Sequence, residues 1–156
     1  MGPDIYPIAT IGSGSLSIMA KPVAGEWIED ELSGIAKSGI KRIVSLLEYT
    51  EAIELGLETE KDLSEKYGME FISYPIADRG VPNSVSEYLE FTKCQYRDIA
   101  KGVNSLIHCR AGIGRSGLIA AGILLHCGFE ANAAFAHIST KRRVSVPCDC
   151  VFVFEV

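Results

Sequence analysis

The sequence predicts a single α/β domain, residues 1–156, with a central, largely parallel sheet flanked by helices. Two observations carry this prediction. Short apolar, β-branched segments alternate along the chain with longer segments whose apolar residues recur at helical spacing, and this alternation is typical of a parallel sheet covered on both faces. A chain of 156 residues, 47% of them hydrophobic, can also bury a core of its own.

Five segments are predicted as strands. The first is apolar and β-branched, and a glycine-containing turn at residues 12–15 separates it from a second short apolar segment. The third and fourth each follow a glycine, Gly39 or Gly68, and the fifth leads directly to His108. The predicted strands are residues 5–11, 16–19, 40–47, 69–74 and 103–107.

Helices are predicted between these strands. Residues 26–38 place Ile28, Leu32 and Ile35 at helical spacing before the stop signal Gly39, and we expect Trp27 to join this buried face. The other predicted helices are residues 59–67, 115–127 and 130–141, together with one that begins at residue 84.

The helix that begins at Ser84 has a capping-box pattern, because Glu87 follows three positions later. Apolar spacing predicts the face that this helix turns toward the core. The residues expected on that face are Val85, Leu89, Thr92, Tyr96 and Ile99.

The overall charge excludes some partners. A net charge of −5 gives no general attraction for nucleic acid or acidic membranes, so neither is predicted as a partner and any bound anion must be held by a local site. The acidic stretch 50–60 is predicted to form a solvated helix and loop. The apolar stretch 118–125 is too short to span a bilayer, so no integral membrane segment is predicted.

Cysteine usage favours a cytoplasmic location. The cysteine count, five, is odd, and the first residues lack the basic and apolar segments of a signal peptide. We expect Cys148 and Cys150 to be structural cysteines, since two cysteines alone are a weak metal signal. No metal or other cofactor is predicted, and the last helix is expected to be short or missing.

The stretch 105–117 carries the chemistry. A strand delivers Cys109 into a glycine-bearing turn that leads straight into a helix. Such a turn can direct successive backbone N–H groups at one anion, and the helix N-terminus adds a partial positive charge. Gly112 and Gly114 are expected to supply backbone angles that other residues resist, and Arg115 a two-pronged donor. The residues expected to bind phosphate are Arg110, Ala111, Gly112, Ile113, Gly114 and Arg115.

Cys109 is the predicted nucleophile. The dipoles that bind phosphate also stabilise a thiolate, and a thiol in such a site titrates at roughly pH 3.5–7.5 in place of about 8.5. A thiolate beneath a bound phosphate is positioned to attack phosphorus. Ser116 is expected to donate a hydrogen bond to the sulfur, and His108 to order the loop through hydrogen bonds.

The segment His108 to Ser116, His-Cys-x-x-Gly-x-x-Arg-Ser, resembles the signature of the protein tyrosine phosphatase superfamily. The short chain with a central signature is similar to the dual-specificity branch, and the layout to the kinase-associated phosphatase group and its small bacterial relatives. The resemblance implies the fold of that branch, a phosphorylated protein as substrate and a phosphocysteine intermediate. Rhodaneses, a rival group, have a loop that is typically one residue shorter.

Asp78 is the predicted general acid. It lies on a proline-containing loop that follows a strand, from which a side chain can reach the leaving oxygen of a phosphate held at Cys109. The resemblance supports this assignment, since the kinase-associated phosphatase group carries a similar Pro-Ile-Ala-Asp stretch. Neighbouring Arg79 is expected to be an exposed loop residue, and Asp98 a solvated aspartate within a helix.

Two alternatives to a protein phosphatase stay open. Arg110 inside the loop could contact a second phosphate of a phosphoinositide, although Ile113 stands where related lipid phosphatases typically have a lysine. A catalytically dead phosphate-binding module is the other alternative. Its support is that the segment after Pro147 lacks the glutamine or threonine that positions the hydrolytic water in many relatives, which leaves that role unassigned.

Overall fold

Five strands form the central sheet in the computed structural model, which describes residues 2–78 and 80–146. The strands are β1 (Tyr6–Ile11), β2 (Gly14–Met19), β3 (Arg42–Ser45), β4 (Glu70–Ser73) and β5 (Asn104–His108). Their order across the sheet is β1-β2-β5-β3-β4. β1 runs antiparallel to β2 and the other neighbouring pairs are parallel, so the predicted α/β class with a largely parallel sheet is confirmed.

Helices cover both faces of this sheet, as predicted. In the described residues they are α1 (Ile28–Lys37), α2 (Tyr49–Glu54), α3 (Glu60–Lys66), α4 (Val85–Ala100), α5 (Gly114–His126) and α6 (Ala131–Arg142). Successive residues of β5 point to opposite faces: Ile107 packs in the core with α4, α5 and α6, whereas Leu106 packs with α1 and α3. No helix in the described ranges is long and apolar enough to cross a membrane.

The predicted inner face of α4 is confirmed at Thr92 and Ile99 and differs at other positions. Tyr88, Thr92, Gln95 and Ile99 are its buried residues, while Leu89 is 38% exposed. Tyr88 is drawn inward because its hydroxyl donates to the backbone carbonyl of Leu118 in α5 over 2.6 Å. The buried face therefore includes Tyr88 and Gln95, which apolar spacing alone does not indicate.

The burial predicted for Trp27 is wrong, since its side chain is 60% exposed. A short 3-10 turn, Gly25–Trp27, precedes α1, and the helix begins only at Ile28. Trp27 therefore lies before the helix and does not extend the apolar face that Leu32 and Ile35 bury.

The acidic stretch 50–60 is only partly the solvated segment that was predicted. It contains α2, but Glu51 is 6% exposed and Glu60 is 2% exposed. Both carboxylates point into the molecule, at the edge of the sheet where the parallel strands end. In that edge His108 lies between its partners Met19 in β2 and Ser45 in β3.

Candidate active site

Cys109 lies at the end of β5, in the turn that leads into α5, and its side chain is buried. The Ser116 hydroxyl donates to Cys109 Sγ over 3.1 Å, as the sequence predicts. Burial raises the pKa of the Cys109 thiol, but this hydrogen bond and those from the backbone amides of Ser116, Gly112 and Ile113 outweigh burial. The net pKa therefore lies below its ordinary value, which favours the thiolate.

Only one of the two loop glycines is required by the backbone. Gly112 has φ of 71°, and a Cβ at this position would lie 2.5 Å from the carbonyl oxygen of Met19. Gly114 has no positive φ, and a Cβ there would meet nothing within 4 Å. The expectation that both glycines supply unusual backbone angles is therefore correct for Gly112 and wrong for Gly114.

The carbonyl side of the loop is held by Arg142 at the end of α6. Its Nη2 donates to the Ala111 carbonyl over 2.9 Å, and its Nε donates to the Gly112 carbonyl over 3.0 Å. The guanidinium also stacks over the ring of Tyr6 at 4.1 Å. Because these carbonyls face Arg142, the amides on the opposite side of the loop are free to face the sulfur.

Arg115 is buried beside the nucleophile and is anchored by Glu51. Its Nη1 donates to Glu51 Oε1 over 2.8 Å and its Nη2 to Oε2 over 2.9 Å, while Nη1 also donates to the Ile76 carbonyl over 3.0 Å. The Arg115 hydrogen bond holds the pKa of Glu51 below its ordinary value against the opposing effect of burial. Nε makes no hydrogen bond to a described residue, so it is available to a ligand.

Two further predicted residues lie around this guanidinium. Asp78 Oδ1 lies 3.3 Å from Arg115 Nη2, and the Asp78 side chain is 55% exposed on its loop. Arg110 is half-exposed at the rim, and its Nε donates to Glu51 Oε2 over 3.2 Å. The structure thus brings Cys109, Arg115, Ser116 and Asp78 together. Arg79 lies outside the described residues.

His108 is completely buried behind the nucleophile. Its Nδ1 lies 3.2 Å from the Cys109 carbonyl oxygen, and its Nε2 lies 2.5 Å from Glu60 Oε2. His108 therefore contacts the loop that it was predicted to order. The sequence predicts no role for Glu51 or Glu60. Both lie in an acidic stretch, and nothing in that stretch indicates a contact of Glu51 with Arg115 or of Glu60 with His108.

Cys148, Cys150 and the expected short or missing last helix lie outside the described residues. Within residues 2–78 and 80–146, no group of three or more His, Cys, Asp or Glu side chains could hold a metal ion.

Comparison with known proteins identifies the family. A family model described as "Polymorphic toxin system, DSP-PTPase phosphatase" matches residues 17–129. Protein tyrosine phosphatase type IVA 2 of mouse is 32% identical over 81 residues, which are 51% of this chain and 48% of that protein. Human protein tyrosine phosphatase type IVA 3 is 28% identical over 122 residues, which are 77% of this chain and 63% of that protein. The chain thus spans about half the length of the first of these relatives.

Solved structures agree with this result. The kinase associated phosphatase superposes with a TM-score of 0.81, over 91% of this chain and 85% of that one. At 22% sequence identity this likeness supports the fold. The active form of Tk-PTP is 29% identical, with a TM-score of 0.70 over 90% and 87% of the two chains. The extent of the family match and these structural likenesses establish that the chain belongs to the DSP-PTPase phosphatases, in the dual-specificity branch of the protein tyrosine phosphatase superfamily.

Proposed function

We propose that the chain is a cysteine-dependent protein phosphatase that hydrolyses phosphotyrosine, and also phosphoserine and phosphothreonine, through a phosphocysteine intermediate. The observation that carries the proposal is Cys109 itself. Its thiol has a lowered pKa, receives hydrogen bonds from loop amides and lies beside Arg115, the arrangement that a phosphate-attacking thiolate requires.

In the first step the Cys109 sulfur attacks phosphorus, and the bond from phosphorus to the leaving oxygen breaks. Amides of residues 110–115 and the Nε–Nη2 edge of Arg115 hold the phosphoryl oxygens and stabilise the charge of the transition state. Asp78 gives its proton to the leaving oxygen. The position of Asp78 against Arg115 Nη2 supports this role. A bound phosphate accepts a hydrogen bond from the same Nη2 and so displaces the Asp78 carboxylate toward the substrate.

In the second step water attacks the phosphocysteine, the phosphorus–sulfur bond breaks, and inorganic phosphate leaves. Ser116 stabilises the departing thiolate through the hydrogen bond that it already donates to the sulfur. Asp78, now ionised, accepts the proton of the attacking water. Apart from the attacking water, the scheme uses side chains and amides of this chain. The cytoplasmic location stays a prediction from cysteine usage.

A phosphoinositide is the second candidate substrate, and the exposed Arg110 side chain at the rim favours it. A structure of PTPMT1, similar in fold at 17% identity and a TM-score of 0.71, has PI(5)P bound. A phosphopeptide panel measured beside a phosphoinositide panel separates the two substrate classes. A higher kcat/KM for phosphopeptides supports the proposed function, whereas a higher kcat/KM for the lipids supports a phosphoinositide phosphatase.

The enzyme itself is tested with an aryl phosphate. Wild type should release phosphate and, after rapid acid quench with a labelled substrate, should carry label on Cys109. Cys109→Ser should lose turnover while still binding phosphate, because the loop amides and Arg115 remain. Cys127→Ser, a change at an exposed cysteine, is the matched control and should retain activity. Wild-type protein that binds phosphate but never turns over an aryl phosphate would instead be a catalytically dead binding module.

A further inference from the structure

A buried pair of ionisable side chains lies directly behind the nucleophile, and the reaction scheme does not use it. His108 is completely buried, Glu60 is nearly so, and His108 Nε2 lies 2.5 Å from Glu60 Oε2. The second ring nitrogen, Nδ1, lies 3.2 Å from the carbonyl oxygen of Cys109. Glu60 is the first residue of α3, and its backbone is fixed there because its carbonyl accepts the Ser64 hydroxyl over 2.7 Å.

The two ring nitrogens therefore both face oxygen atoms. A carbonyl oxygen accepts hydrogen bonds and does not donate them, and so does an ionised carboxylate. A neutral imidazole carries one N–H and satisfies one of these contacts, whereas an imidazolium carries two and satisfies both. At a site without solvent an unsatisfied contact is unfavourable, so beside an ionised Glu60 the geometry favours the doubly protonated ring.

We propose that His108 and Glu60 form a buried imidazolium–carboxylate pair, in which Glu60 is a positioning residue that keeps a positive charge beside the Cys109 thiolate. The consequence for turnover rests on the proposed function, whereas the protonation state of His108 and the reactivity of the thiol do not. Glu60 acts through His108 and makes no contact with the sulfur in the described structure.

The charges around His108 and Cys109 determine what this pair does for the thiolate. Burial lowers the pKa of His108, but the charge and hydrogen bond of Glu60 outweigh burial and raise it above the ordinary value. Arg115 is also a cation beside Cys109, and its charge is met by Glu51 on one edge and by Asp78 on Nη2. The imidazolium of His108 thus supplies positive charge to a thiolate beside which Arg115 is already paired with carboxylates.

The first experiment uses the wild-type protein and no phosphate substrate. The chain has three histidines, so the nitrogen resonances of the His108 ring can be assigned by replacing the other two. At pH 7 both ring nitrogens should be protonated. A His108 ring with one protonated nitrogen would mean that the proton rests on Glu60 or is absent, and would overturn the proposal even if no Glu60 variant folds.

The second experiment measures the rate at which iodoacetamide alkylates Cys109 as a function of pH. Glu60→Gln keeps the size of the side chain and removes its charge, so His108 should lose its proton and the alkylation midpoint should rise by about one pH unit. Glu60→Asp should retain the wild-type midpoint. Glu65→Gln removes the same charge from an exposed position of α3 and should also leave the midpoint unchanged.

A purely structural role for Glu60 predicts a different result. In that case Glu60→Gln would slow turnover through a misplaced loop while the alkylation midpoint stayed at the wild-type pH, and a midpoint that is unchanged or lowered overturns the proposal. Neither readout involves hydrolysis. An inactive wild-type enzyme with a doubly protonated His108 would therefore count against the proposed function and not against this pair.

Discussion

Glu51 holds one edge of Arg115 with both carboxylate oxygens, 2.8 Å from Nη1 and 2.9 Å from Nη2. This contact leaves the Nε–Nη2 edge of the guanidinium, which Asp78 approaches at Nη2, for the proposed phosphate contact. A planar donor that binds two phosphate oxygens must be aimed as well as charged. Glu51 therefore sets the direction of the residue that we propose to bind the phosphate.

Glu51→Gln should lower kcat/KM by about 10²-fold, because an amide offers one acceptor in place of two and misaligns the clamp. Glu54→Gln, at an exposed position of the same helix α2, is the matched control and should be close to wild type. Steady-state kinetics with an aryl phosphate provide the measurement. Equal kinetics for the two variants would mean that Glu51 does not aim Arg115.

The same ion pair should make stability depend on pH. The pKa of Glu51 is lowered in the folded state, mainly by its hydrogen bond to Arg115, so this pair stabilises the fold above the unfolded pKa of about 4.3. The contribution is lost as the pH falls through the lower, folded pKa. Wild type should therefore have a higher Tm than Glu51→Gln at pH 7, and this difference in Tm should shrink below pH ~4. A difference that stays constant down to that pH would contradict the assignment.

Gly112 and Gly114 offer a test of the loop backbone. Gly112→Ala forces a side chain onto a positive φ and against the Met19 carbonyl, and should destabilise the protein by about 1–3 kcal/mol. Gly114→Ala meets open space at the first residue of α5 and should change stability by less than about 0.5 kcal/mol. Thermal or urea unfolding measures both. Equal losses would show that the loop does not need its left-handed residue.

Thiol labelling tests the ranking of the cysteines. Iodoacetate at pH ~6 should modify Cys109 before Cys94 and Cys127, since the loop lowers the pKa of Cys109 whereas burial raises that of Cys127. Inorganic phosphate or vanadate should protect Cys109 by occupying the loop. Peptide mapping after partial labelling identifies the site. Earlier modification of Cys148 or Cys150 would favour a redox role for that pair.

Much of the fold and the central loop could be predicted, because both depend on local patterns. Alternating strand and helix segments predict the parallel sheet, and the spacing of Cys109, Arg115 and Ser116 predicts a loop that binds anions. Burial of a carboxylate has no such local signature. Glu51 accepts a hydrogen bond from a residue 64 positions away, and Glu60 contacts a residue 48 positions away. Within an acidic stretch, either side chain is indistinguishable from a solvated one until the tertiary structure supplies its partner.

Asp98 illustrates the same limit and changes the design of the remaining test. The sequence predicts a solvated aspartate within a helix, yet Asp98 Oδ2 accepts a hydrogen bond from buried Arg42 over 2.8 Å. Replacing Asp98 would therefore remove an ion pair and disturb α4. Asp62, exposed on α3, is the better control for a change at the proposed acid.

Asp78→Asn should reduce kcat about 10²–10⁴-fold with phosphotyrosine or an alkyl phosphate, the range that general acid catalysis contributes. The loss should shrink with an aryl phosphate whose leaving oxygen is a weak base, because that oxygen departs without a proton. The alkaline limb of the pH–rate profile should flatten, since loss of the proton from the acid produces that limb. Asp62→Asn should match wild type on every substrate. Small losses in Asp78→Asn that do not vary with the leaving group would show that another residue donates the proton, and that Asp78 merely neutralises Arg115 Nη2 at 3.3 Å.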